Sequence, residues 1–249
     1  MSKNLKNIYQ NYKNRCHWEK LNKEYSKNWE GFPKKKLSER ETNFVTRFLG
    51  KTKGRTLLDI GVGNGRILEK LVKFSSEKSC IFGIDLSDKM ADFCRKKFVN
   101  EKKIEKIIVC DVARSGICID ERFDFISAVR VLKYNKNWVD MIKNIGKKLE
   151  QDGIFVFTML NENSLSFFSN YGLSTYQVSK KEIKEKVEEL GFEMICIESF
   201  SKLPAFMYLY FIDSRAYSNL IICCEKILEF ILGKNLFGKE FFIAIKKAK

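Results

Sequence analysis

The residues with the most distinctive chemistry are three aspartates and a run of glycines. Leu57-Leu58-Asp59-Ile60-Gly61-Val62-Gly63-Asn64-Gly65-Arg66 sets an acid two positions before three alternating glycines. Gly61 and Gly63 let the backbone approach a ligand where a Cβ would clash, and a helix starting after Gly65 offers free N–H groups. A dinucleotide fingerprint, GxGxxG, requires glycine at 66, where Arg66 stands, so nicotinamide and flavin chemistry is disfavoured. Asp59 is placed to accept hydrogen bonds from a cationic amino group. Asp85 ends Gly83-Ile84-Asp85, twenty residues past Gly65, a spacing that suits ribose hydroxyls. Asp111 follows the apolar run Lys-Ile-Ile-Val-Cys, where it could meet an adenine amino group; a turn-capping aspartate is its rival reading.

Such side chains converge only if successive strand ends meet. The pattern predicts strands over 56–60, 80–84, 106–110, 123–129 and 153–160, with last strands over 193–199 and 240–246. Helices are predicted over 66–74, 87–99 with Ser87 as N-cap, 138–149, and 179–190 closed by Gly191. Strand–helix alternation predicts an α/β fold, a mostly parallel sheet with helices on both faces. Two segments lie outside that rhythm. Residues 1–50 read as a helical cap rich in aromatics (Tyr9, Tyr12, Trp18, Tyr25, Trp29, Phe32). Residues 200–239 form an insert with Phe200, Phe206, Tyr208, Tyr210, Phe211 and Tyr217, then an amphipathic helix near 220–232. The expected division is a cap over 1–50 and one domain over 51–249 that contains the insert.

Composition removes other chemistries. The chain has 249 residues, 46 basic and 31 acidic side chains, a net charge of +15 and one histidine, His17. That length buries a full core without staples, and a lone histidine argues against a histidine-rich metal site or a histidine triad. No metal site is expected. The eight cysteines are irregularly spaced with no CxxC; they predict reduced thiols, with 94, 110, 118, 223 and 224 as small core residues. Residues 1–55 carry 15 basic and 5 acidic side chains, and residues 233–249 carry 5 and 1, which leaves 26 against 25 between them. The excess charge therefore sits at the two ends. Lysine outnumbers arginine 36 to 10, although arginine is favoured for bidentate phosphate recognition. The chain begins without an apolar stretch of signal-peptide length, and the apolar run 203–212 is too short for a bilayer span of about 20 residues. A cytoplasmic protein is the expectation.

Taken together, LLDIGVGNGRILEKL, GIDLSDKM, VCDV, FDFISAVRVLKY and GIFVFTML resemble the class I S-adenosylmethionine-dependent methyltransferases, a Rossmann-like superfamily. The resemblance covers about residues 55–200 and reaches the last strand, FFIAIKK. It implies a doubly wound, mostly parallel seven-stranded sheet with an antiparallel last strand, and S-adenosylmethionine as cofactor with S-adenosylhomocysteine as product. Asp59, Gly61, Gly63, Asn64 and Gly65 would line the donor and Asp85 would hold its ribose. Leu86 and Met90 would flank the adenine, Asp111 and Val112 would read its edge, and Arg130 would complete the donor site.

The acceptor is less defined. Arg130, Lys133 and Tyr134, which follow the fourth strand, are candidates to orient or activate it, with His17 in the cap as a candidate base; a solvated charge or a surface ion pair is the alternative for Arg130 and Lys133. Ser127-Ala128-Val129-Arg130 replaces the Asn-Pro-Pro-Tyr of amino-methylating enzymes, and prolines stand only at 33 and 204, so no Pro-Cys nucleophile exists. The expected function is methyl transfer by in-line displacement to a small-molecule acceptor, with an apolar or lipid-like one among the options. The alternatives are RNA or protein methylation through the basic ends, or a non-catalytic donor-binding scaffold.

Overall fold

The computed structural model describes residues 13–20, 32–50, 55–164, 173–204, 207–208 and 214–248. Of the expected cap and insert aromatics, Tyr9, Tyr12, Tyr25, Trp29, Phe206, Tyr210, Phe211 and the side chain of Phe32 lie outside the described residues.

Five strands alternate with helices as their apolar pattern requires: β1 (Thr56–Ile60), β2 (Cys80–Asp85), β3 (Ile104–Val109), β4 (Phe123–Ala128) and β5 (Leu149–Asn161). A two-residue strand, β6 (Gln177–Val178), precedes β7 (Phe192–Phe200) and β8 (Glu240–Lys247). The sheet order is β3-β2-β1-β4-β5-β8-β7, with β6 added beside β5. The first five strands are parallel, and β8 runs antiparallel to both β5 and β7. The expected seven-stranded path and its antiparallel last strand are both present. β6 was not expected, because two residues are too short to show a period.

Period-two alternation fills both faces of the sheet. Leu58, Ile126, Phe155 and Ile243 enter one core, with Trp138, Met141, Ile142 and Ile145 of the helix Trp138–Lys147 (α6). Leu57, Phe125, Val156 and Phe242 enter the other, with Phe44, Val45, Phe48 and Leu49 of the helix Phe32–Leu49 (α2). α2 follows a helical segment over 13–20 (α1). On this second face lie also α3 (Arg66–Phe74) and α4 (Asp88–Lys97), the latter N-capped by Ser87 as expected. α5 (Val112–Ser115) follows β3, and α7 (Lys180–Glu189) precedes β7 and is N-capped by Ser179.

The insert closes with α8 (Arg215–Leu232). Its acids point inward. Glu225 is buried, accepts from Leu203 N at 3.0 Å and from the Tyr208 hydroxyl, and pairs with Arg40 of α2 at 3.3 Å, while Glu229 pairs with the same guanidinium. Phe200 ends β7 opposite Glu240, and Glu240 starts β8 opposite Leu160, so the insert leaves and re-enters at the carboxyl ends of the parallel strands.

The reading of the cysteines needs correction. Cys94 is a buried thiol, but Cys118 and Cys223 are exposed, and Cys110 forms a disulfide with Cys118. The short α5 turns the chain back and brings the two Cα atoms to 6.3 Å, within disulfide reach. Cys223 sits on the outward side of α8. A helix's outward positions cannot be told from its inward ones when both are apolar.

Candidate functional site

The glycine loop is hooked onto the neighbouring strand by its backbone. Gly61 N and Val62 N both donate to Ile84 O, at 2.7 and 3.1 Å. Gly61, Gly63 and Gly65 all have positive φ (77, 51 and 79°), a region that favours glycine. A Cβ on Gly61 would also collide with Val131 Cγ2. That hook brings Asp85 beside the loop. Its Oδ2 accepts from Gly63 N and its Oδ1 from Ser87 N, both at 2.9 Å. Burial pushes the Asp85 carboxyl up, while the N–H groups of Ser87, Gly63 and Leu86 pull it down. Cys94 lies beneath the loop, donates to Gly63 O at 3.2 Å and is pushed up to about 12, chiefly by burial.

Asp59 is buried at the end of β1. Its Oδ1 accepts from Ser127 Oγ at 2.7 Å, and its Oδ2 has no hydrogen-bond partner. Burial raises this carboxyl to about 8, against the Ser127 hydrogen bond and the Arg66 charge, which lower it. A buried carboxyl oxygen with no protein partner, beside three left-handed glycines, fits a cationic ammonium and an extended backbone-bound ligand. Asp59, Gly61, Gly63, Gly65 and Asp85 are thus brought together, with buried Met90 in the first turn of α4 and Leu86 beside Asp85. Asn64 sits in the loop, where its carbonyl accepts from Lys97 Nζ. Asp111 N-caps α5, with its Oδ1 accepting from Arg114 N at 3.2 Å, and Val112 is buried next to it. The capping reading of Asp111 therefore describes one of its oxygens.

After β4 the chain turns sharply. Arg130 has a positive φ of 63°, and its N–H donates to Thr158 Oγ1 at 2.7 Å. Its guanidinium bridges Glu41 of α2 at 2.5 Å and Glu240 of β8 at 3.4 Å. Lys133, fully buried, pairs with the other oxygen of Glu240. Burial alone would raise Glu240, but Arg130, Lys133 and Lys239 outweigh it and hold the carboxyl at about 2. Arg66 contacts the second Glu41 oxygen at 2.6 Å and donates to Ser38 at 3.2 Å. Arg130 and Lys133, expected to orient an acceptor or else to be solvated charges or surface ion pairs, instead form pairs with buried acids.

α1 contacts both the segment after β4 and the start of α4. Asn14 donates to Tyr134 O at 3.4 Å, Trp18 meets the Tyr134 ring edge-on at 5.5 Å, and Arg15 pairs with Asp88 at the start of α4. His17 packs edge-on against Trp18 at 5.2 Å, and burial lowers its pKa. Sequence reasoning missed Glu41, Ser127, Thr158 and Glu240 and gave Arg66 no role. One signal was present: Glu240 is the sole acid among residues 233–249, in an otherwise basic tail.

Residues 58–157 match a family described as a methyltransferase domain. A ubiquinone biosynthesis O-methyltransferase of Coxiella burnetii is 26% identical over 111 residues, covering 45% of this chain and 46% of that protein. A tRNA U34 carboxymethyltransferase of Campylobacter lari is 28% identical over 127 residues, 49% of this chain and 41% of that protein. The alignments thus span about half the length of these curated relatives or less. Among solved structures, magnesium protoporphyrin IX methyltransferase from Synechocystis with bound S-adenosylhomocysteine covers 99% of this chain and all of its own (100%), with a TM-score of 0.62 and 11% identity. At that identity the likeness concerns the fold alone. No helix among the described residues is long and apolar enough to cross a membrane. Residues 58–157, which hold the glycine loop and both buried acids, form a methyltransferase domain, and the strand order around them is that of the class I S-adenosylmethionine-dependent methyltransferase fold.

Proposed function

We propose that this chain methylates a small-molecule acceptor at a site roofed by its first 50 residues, with residues 51–249 as the catalytic domain. The observation that carries this reading is where the basic side chains go. Arg66, Arg130 and Lys133, which lie at the carboxyl ends of the strands, are spent on buried Glu41 and Glu240. A polyanion needs its cations outward and solvated, with counterions to release. S-adenosylmethionine supplies an electrophilic sulfonium methyl; the chain's own work is to hold, orient and shield. Asp59, the glycine loop and Asp85 hold the donor, with Met90 and Leu86 beside its adenine and Val112 and Asp111 at the base edge. α1 covers the acceptor side through Trp18 and Tyr134, which favours an apolar acceptor in a water-poor pocket. The named O-methyltransferase relatives support oxygen as the atom methylated. A hydroxyl acceptor must lose a proton, and His17, kept neutral by burial, is the base in this reading. A cytoplasmic location belongs to the same proposal.

The test is transfer of a labelled methyl group from S-adenosylmethionine into a cell extract fractionated by size and by nuclease sensitivity. Label in a small, solvent-extractable fraction is the expected result. Label in RNase-sensitive material would move the acceptor to RNA, the reading that the tRNA-modifying relative and the basic ends favour. Binding of S-adenosylhomocysteine with no transfer to any fraction would leave a donor-binding scaffold.

A further inference from the structure

α8 is built inside out. Its two acids, Glu225 and Glu229, turn inward to Arg40, with side-chain exposures of 1% and 15%. Its outward side instead carries Leu220, Cys223, Ile227, Phe230 and Ile231, at the i, i+3, i+7, i+10, i+11 spacing of one helical stripe. Phe230 is 91% exposed, Ile231 67%, Leu220 58% and Ile227 52%, and Leu236 follows in the next turn at 47%. Among the described residues, these are five of the eight large hydrophobic side chains left in water. Scattered single exposures need no explanation, but a contiguous stripe marks an interaction surface.

The charges around the stripe decide its partner. Arg215, Lys226 and Lys234 are exposed on α8 and just after it, and the helix shows no outward acid. A second copy of the chain would bring like charges together, with a net +15 on each protomer. Apolar side chains with an aromatic among them, and Arg215, Lys226 and Lys234 as the exposed charges among the described residues of α8 and the turn after it, match the headgroup boundary of a bilayer bearing anionic lipid. We propose that α8 docks this protein, reversibly and in the plane of the surface, on an anionic lipid membrane. The insert springs from the carboxyl ends of the strands, the edge that holds the donor loop. Docking there would bring the same edge of the sheet toward the lipid surface without any segment crossing it. This inference does not rest on the identity of the methyl acceptor.

The experiment is co-sedimentation of the whole chain with sucrose-loaded vesicles of phosphatidylcholine alone, or of phosphatidylcholine and phosphatidylglycerol at a ratio of about 7:3. Partitioning into the anionic vesicles is expected to exceed that into neutral ones by about tenfold and to fall in high salt. The pair Ile227→Ser with Phe230→Ser should lose most of this binding, and so should Lys226→Glu with Lys234→Glu. Both should keep wild-type affinity for S-adenosylhomocysteine by calorimetry, which shows them folded. Equal sedimentation with both vesicle types would overturn the proposal, as would undiminished binding by both folded variants. A dimer in light scattering that Phe230→Ser dissolves, with no preference for anionic vesicles, would give the stripe to a second copy and overturn it equally.

Discussion

The floor and the roof of the proposed site are held by different physics. The floor, from Asp59 to Gly65 with Asp85, is fixed by backbone hydrogen bonds between adjacent strand ends and by left-handed glycines. The roof is tied down by side-chain charges: Glu41 of α2 between Arg66 and Arg130, and Glu240 of β8 between Arg130 and Lys133. A backbone-built floor holds its shape whatever covers it. A roof held by ion pairs is adjustable, because each pair sets desolvation cost against Coulomb attraction and neither dominates by much. On the proposed function, the arrangement separates a constant task, gripping a common donor, from a variable one, admitting a particular acceptor.

That separation predicts which variants lose ligand and which lose stability. The largest effect belongs to the floor: Asp85→Ala should weaken S-adenosylhomocysteine by about 100-fold in calorimetry, from the loss of charge-assisted hydrogen bonds. Glu41→Gln in the roof should instead cost about 2–3 kcal/mol of stability in denaturant unfolding, since it leaves two guanidinium groups short of their partner. Its affinity for the same ligand should stay within about threefold, a difference of roughly 0.7 kcal/mol. A Glu41→Gln protein that loses ligand as severely as Asp85→Ala would erase the distinction between floor and roof.

The smallest effect is the most specific. With its carboxyl raised to about 8 by burial, Asp59 is protonated in the free protein at neutral pH but ionised in the unfolded chain. The folded state therefore binds the extra proton, and Asp59 makes stability fall as pH rises from about 4 to about 8. Asp59→Asn should remove that slope, so its melting temperature gains on the wild type across this window and then runs parallel above it. Ligand binding at pH 7 should release a proton from the wild type and none from Asp59→Asn, read by calorimetry in buffers of different ionisation enthalpy. Equal proton release from both would place the linked group elsewhere.

How far the sequence spoke follows the same division. Gly61, Gly63 and Gly65 are legible because a left-handed φ and a close approach to Val131 restrict the residue type, whatever lies far along the chain. Ser87 and Ser179 as caps are legible for a like reason: a helix start needs a local acceptor. Glu41, Glu240 and Glu225 are not, because their partners Arg130, Lys133 and Arg40 stand 89, 107 and 185 residues away, and nothing local tells a buried acid from a solvated one. The same blindness hid the orientation of α8: an amphipathic helix is expected near 220–232, but its pattern does not show that the apolar stripe faces outward. The disulfide between Cys110 and Cys118 depended on a four-residue helix too short to show periodicity.

Arg130 shows what such a junction means for mutational tolerance. Its backbone sits where glycine would be more comfortable, at a cost of about 1 kcal/mol or more for a side chain. Its guanidinium meanwhile joins α2 to β8. Glycine would relieve the backbone and cut the tie, and lysine would keep the charge without the fork that reaches two carboxylates. Position 130 is therefore a local optimum with no neutral neighbours. On the proposed function, drift toward a new acceptor proceeds around it, through α1, α2 and the insert, and not through the residue that ties α2 to β8.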